Sequence, residues 1–152
     1  MAKDKAVLTT FLVKFVGIDN IHLDTNDRIF VRIGSSKTKM YSILDHHVFF
    51  EREVFMRHSV ITDGKKPKIL LPKRDIITVF RVTRRKKVFF HRRPTKVGGC
   101  TLNYKDFLFT GKALLGFQLV NNPTHHSNLP IPVSFFRVTR EDMFPCPSCG
   151  SQ

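Results

Sequence analysis

Acidic residues are scarce in this chain, 12 Asp and Glu against 26 Lys and Arg, and tryptophan is absent altogether. The shortage of acids leaves a formal net charge of +14 and a pI near 10.2. Partners able to balance such a charge are nucleic acid, an anionic membrane face, or an acidic protein surface such as a tubulin lattice. Cysteine is scarce too. Cys100, Cys146 and Cys149 are an odd number, which argues against a secreted disulfide framework and for a reducing compartment. The opening residues 1–15 lack a small-residue cleavage site, and no run approaches the roughly 18 apolar residues of a membrane-spanning helix. The expected setting is therefore cytoplasmic and not secreted, with any membrane contact peripheral.

Helical periodicity is nearly missing, whereas period-two runs of Val, Ile, Phe and Thr recur between turn signals. The reading is all-β: an antiparallel β-sandwich of about eight strands over residues 1–142, with a tail at 143–152. Val7 to Val16 places Val7, Thr9, Phe11, Val13 and Phe15 on one face, before a turn at Gly17, Asp19 and Asn20. Arg28 to Ile33 opposes Ile29, Val31 and Ile33 to Arg28, Phe30 and Arg32. A short strand is expected at Lys39 to Leu44. Val48 to Ile61 reads as one long strand with Val48, Phe50, Val54 and Met56 together, ending at Asp63-Gly64.

Lys68 to Leu71 reads as an edge strand stopped by Pro72. Asp75 to Thr83 sets Ile76, Thr78, Phe80 and Val82 against Ile77, Val79 and Arg81, and Lys87 to His91 is its expected hairpin partner. Strands at Gly99 to Leu102, Leu114 to Val120 and Val133 to Thr139, and a helical turn at Tyr104 to Phe109, complete the pattern. Fifteen Phe with no Trp predict a core of rings without polar handles. Phe80 to Arg84 repeats as Phe136 to Arg140, FRVTR both times, and five residues imply only that two strands met the same half-buried pattern alike.

The order of strands and turns resembles a C2 domain. Phe11 to Ile21 is similar to that family's opening strand and first loop, and Asn26 to Ile33 to the strand that begins Ser-Asp-Pro-Tyr-Val. Val48 to Phe55 is similar to the Asn-Pro-x-Phe-Asn-Glu-x-Phe segment, and Lys96 to Phe107 to a later strand and turn. The resemblance implies calcium-binding aspartates on two loops, since Ca²⁺ takes about 6–8 oxygen ligands. One loop keeps Asp19, Asp24 and Asp27, but where the other would carry Asp-x-Asp this chain has Arg81, Val82, Thr83, Arg84 and Arg85. The resemblance thus implies a calcium-independent member that binds lipid headgroups or, as in cytoskeletal and ciliary relatives, assembles with proteins.

The charge is concentrated. Lys65, Lys66, Lys68, Lys73, Arg74, Arg81, Arg84, Arg85, Lys86, Lys87, Arg92, Arg93 and Lys96 face a single acid, Asp75, within residues 65–96. These are the expected anion-binding or partner-binding residues, weighed against a merely solvated charged face. Phe89 and Phe90 follow Arg84 to Lys87, an interleaving that could stack on unpaired bases, although Phe in a strand more often fills a core.

Cys146-Pro-Ser-Cys149-Gly150 is half of a zinc site. Cys100 or His125 and His126 would have to complete it, or a partner would; the expectation is a metal-free tail. Adjacent histidines such as His46-His47 are poor chelators in a strand, and His125-His126, in a loop on a basic surface, are expected to be simply polar. Glu51 and Glu53 are expected to pair with Arg52 and Arg57. No nucleophile elbow or phosphate loop is present, so no enzyme, cofactor or small-molecule substrate is expected.

The leading expectation is a structural protein docking a basic sandwich onto an anionic surface of a larger complex: a cytoskeletal or ciliary lattice, or an anionic membrane. The alternative is an RNA-binding subunit of a ribonucleoprotein such as a ribosome.

Overall fold

A computed structural model describes residues 6–62, 73–83, 94–120 and 129–142. The described residues form two antiparallel sheets packed face to face with one short helix, so the chain is an all-β sandwich. One sheet holds β1 (Ala6–Asp19), β5 (Val48–Phe49), β6 (Val54–Thr62), β9 (Lys112–Gln118) and β10 (Val133–Asp142). The other holds β2 (Asp27–Ile33), β3 (Ser36–Lys37), β4 (Tyr41–Ser42), β7 (Arg74–Thr83) and β8 (Thr95–Asn103), and α1 (Tyr104–Thr110) follows it. Because β5 and β6 share one edge of β1, and β3 and β4 share one edge of β2, the strands fill eight lateral positions.

Alternation sets which side chains enter the core. Phe11, Val13 and Phe15 of β1, Ile29, Val31 and Ile33 of β2, and Ile77 and Val79 of β7 are all buried, as their period-two spacing requires. Rings dominate one end: Phe15 lies 4.8 Å from both Phe55 and Phe136, and Phe50 packs 5.0 Å from Tyr41. At the other end Tyr104 is wholly buried, 5.4 Å from Phe11. This core does include polar handles. The Tyr104 hydroxyl donates to Asp75, which also takes Arg57 at 2.6 Å, tying β6 of one layer to β7 of the other. Burial and the Asp75 bond both raise the Tyr104 pKa.

The sheets meet at one side. Val120 donates to the Val97 carbonyl at 2.7 Å, and Gly98 lies so close to Phe117 that a β-carbon would sit 2.8 Å from the ring.

Several expectations are corrected. Gly17 lies inside β1 at a β-bulge, where an added Cβ would stand 2.6 Å from the Val48 carbonyl oxygen. Lys39 to Leu44 forms only the two-residue β4. Val48 to Ile61 is two strands, with Arg52 between them at φ 57°. That interruption changes the phase, so Val54 and Met56 are exposed while Phe55 packs on the core.

β7 takes β2 on one edge and β8, Thr95–Asn103, on the other; Lys87 to His91, the expected hairpin partner, lies outside the described residues. The FRVTR repeats do not solve the same pattern. Phe136 and Val138 are buried in β10, whereas in β7 the pentapeptide turns Phe80 outward and Arg81 inward. The edge strand at Lys68 to Leu71, the Asp63-Gly64 turn and the tail at 143–152 lie outside the described residues.

Candidate anion-binding face

The outward residues of β2, β7 and β8 include Arg28, Phe30 and Arg32, then Ile76, Thr78, Phe80 and Val82, then Lys96 and Thr101, with no acid among them. Phe30 and Phe80 are directly opposed across the β2–β7 ladder. Their rings stack at 5.0 Å with planes 12° apart. Lys96 is paired with Phe80 on the next strand.

Arg32 and Lys37 also face each other directly across β2 and β3. Opposed like charges destabilise a strand pair, by an amount on the order of 0.2–1 kcal/mol. Each finds a ring instead of an acid: the Arg32 guanidinium lies 5.2 Å from the Phe80 centroid and the Lys37 ammonium 6.0 Å from that of Phe30. Such exposed cation–π contacts contribute about 0.5–1 kcal/mol and restrict where the cations sit. Among the described residues, none of Arg28, Arg32 and Lys37 forms an ion pair with an acid.

Parity in the sequence already grouped Phe30 with Arg28 and Arg32, but the β2–β7 register that joins it to Phe80 carries no local signal. Lys37 was missed for the same reason.

The basic segment 65–96 is divided by β7. Residues 63–72 lead into the Arg74 end of the strand and residues 84–93 leave its Thr83 end. Ten residues at about 3.3 Å each separate these ends by roughly 30 Å. Lys73 and Arg74 are exposed at the first end, and Lys96 is exposed near the second. Arg81 departs from the expected surface position: its side chain is 12% exposed and points inward, 3.7 Å from the buried Asp27 carboxylate. Lys65, Lys66, Lys68, Arg84, Arg85, Lys86, Lys87, Arg92 and Arg93 lie outside the described residues, as do Phe89 and Phe90.

The three loop aspartates are engaged within the protein. Asp19 binds Arg137 at 2.9 Å and His47 at 3.0 Å, and Asp24 accepts the Asn26 amide. Burial raises the Asp27 pKa, Arg81 counteracts this, and nearby Asp24 adds to the rise. His46 and His47 sit at a tight turn rather than in a regular strand, with Asp45 and His46 both at positive φ. His46 stacks on His22 at 4.3 Å.

Glu53 does not pair with Arg52 or Arg57. It is buried and accepts from the Tyr41 hydroxyl at 2.7 Å and the Lys39 amide at 3.1 Å, while Arg57 goes to Asp75. Cys100 is half-buried on β8 and burial pushes its thiol up to about 12, far from a reactive thiolate. Cys146, Cys149, His125 and His126 lie outside the described residues, and among the described residues no group of three His, Cys, Asp or Glu is placed to hold a metal. No helix of the described residues is long and apolar enough to cross a membrane.

No protein-family model matches the chain, and no curated protein is significantly similar to it in sequence.

Proposed function

We propose that this protein is a non-enzymatic, calcium-independent, C2-like domain that docks onto an anionic surface of a larger assembly. The observation that carries this reading is the acid-free outer face of β2 and β7, where Arg32 and Lys37 oppose each other and lean on Phe80 and Phe30. Folding alone gains nothing from opposing two cations. An anion lying across them converts that repulsion into attraction. Connectivity adds to it, since the 84–93 segment, with six Lys and Arg, is joined to the Phe80 end of this sheet. The calcium-independent character is supported by Asp27 facing Arg81 and Asp19 facing Arg137 in place of a metal.

The test compares the wild type with two multiple variants, Arg28, Arg32 and Lys37 changed to Ser, and Arg84, Arg85, Lys86 and Lys87 changed to Ser. Co-sedimentation with microtubules and with phosphatidylserine vesicles, and anisotropy with labelled RNA and labelled polyglutamate, read the binding. The expected result is binding to at least one of these anions, falling steeply with salt and weakened by either variant. Affinities unchanged in both variants would remove the docking role. Millimolar calcium is expected to leave the melting temperature where it was; a rise of several degrees would contradict the calcium-independent part.

A further inference from the structure

We infer that the anion recognised by this face is single-stranded nucleic acid, held by base stacking on the Phe30–Phe80 pair and by phosphate contacts from Arg28, Arg32 and Lys37. The inference rests on the docking reading above and specifies its partner. Cations alone would suit any anion. The rings are what discriminate, because an acidic peptide or a lipid headgroup has no use for a stacked pair of phenylalanines at the middle of a charged face.

Rings on the outer side of a sheet are costly to keep in water. Phe30 and Phe80 are only half-buried, and they lie on the side of the sheet away from the core. Every base presents a flat π-surface, so stacking on such rings is tolerant of sequence. In this face the two rings are stacked on adjacent strands, with a cation drawn up to each one. Base–aromatic stacking is stronger than an exposed cation–π contact, so an incoming base can displace Arg32 or Lys37 from its ring. The displaced cation is then free to meet the phosphate that the base brings with it.

A double helix fits less well. Its bases are already stacked on each other, and its grooves offer edges where these rings need faces. Single strands can splay their bases onto such rings while the backbone phosphates meet the neighbouring cations.

Anisotropy with a labelled twelve-nucleotide oligouridylate, a duplex of equal length and labelled polyglutamate tests the inference. The variant Phe30→Leu with Phe80→Leu keeps apolar bulk and removes the π-faces, and its melting temperature checks that it folds. The expected result is oligouridylate binding tighter than duplex or polyglutamate, reduced about tenfold or more by the double Leu variant, with polyglutamate affinity unchanged. Changing Arg28, Arg32 and Lys37 to Ser is expected to weaken every anion and to flatten the salt dependence.

If the Leu variant binds oligouridylate as the wild type does, or if polyglutamate, microtubules or vesicles bind more tightly than oligouridylate, the inference is overturned and the docking reading stands without it. If no anion binds at all, both readings fall. A Leu variant that does not fold moves the test to Phe80→Leu alone, for which a several-fold loss confined to oligouridylate is expected and an equal loss for polyglutamate overturns the inference.

Discussion

Phe80 to Thr83 in β7 and Phe136 to Thr139 in β10 spell the same four residues, yet the two strands use them in opposite phase. In β10 Phe136 and Val138 are buried and Arg137 points outward to Asp19. In β7 Phe80 stands outside against Phe30, and Arg81 turns inward to Asp27. The difference lies upstream: Ile77 and Val79 fix the inward phase of β7, so the residue two further on must enter too, whatever it is. A local sequence does not own a face. The phase that puts an arginine inside is also the one that puts a phenylalanine outside, and so the inward Arg81 and the outer aromatic pair share one cause.

The largest test of that contrast is truncation of the two rings. Phe136→Ala is expected to destabilise the fold by about 3–5 kcal/mol, the cost of a core cavity, while Phe80→Ala is expected to cost on the order of 1 kcal/mol. Chemical denaturation of both variants reads this directly, and equal losses would mean that the phases do not differ. Next come the arginines. Arg81→Ala strands the buried Asp27 carboxylate and is expected to cost up to about 3 kcal/mol, less than a closely bonded buried pair because the 3.7 Å contact is long. Arg137→Ala, with a half-exposed side chain, is expected to cost roughly 0–1 kcal/mol.

The smallest effect is on pH dependence. Asp27 has a folded pKa raised above its ordinary 3.8, so its neutral form suits the fold better than its ionised form. Its stabilising contribution is present in full below 3.8 and is lost as pH rises through the folded pKa. Wild type is therefore expected to gain stability relative to Asp27→Asn as pH falls through that window, with the gain levelling off below 3.8. Melting temperatures across that acid range measure it, and a difference independent of pH would show that Asp27 is not held in an inward, desolvated position.

Where strands alternate without interruption, sequence was enough: Phe11, Val13 and Phe15, and Ile29, Val31 and Ile33, are buried as their spacing requires. It failed at Arg52, because a non-glycine residue at positive φ announces nothing, and one unseen break transferred Val54 and Met56 from core to solvent. The pairing of β7 with Thr95–Asn103 was not legible, because the partner strand lies more than ten residues beyond Thr83 with no turn signal to tie the two together. The candidate face was half legible. Arg28, Phe30 and Arg32 could be assigned to one side, whereas the meeting of Phe30 with Phe80 depends on the register of strands about fifty residues apart.

The seam between Val97 and Val120 bears on what this protein avoids. Unpaired strand edges invite other chains to add on and start aggregates, a hazard for a sequence this rich in Phe, Val and Ile. Joining β8 to the end of β9 occupies part of two such edges, and β3, β4 and β5, at two residues each, give little to extend. Gly98 lets that seam close: since a single methyl there would push against Phe117, the covering of these two edges hangs on a residue with no side chain.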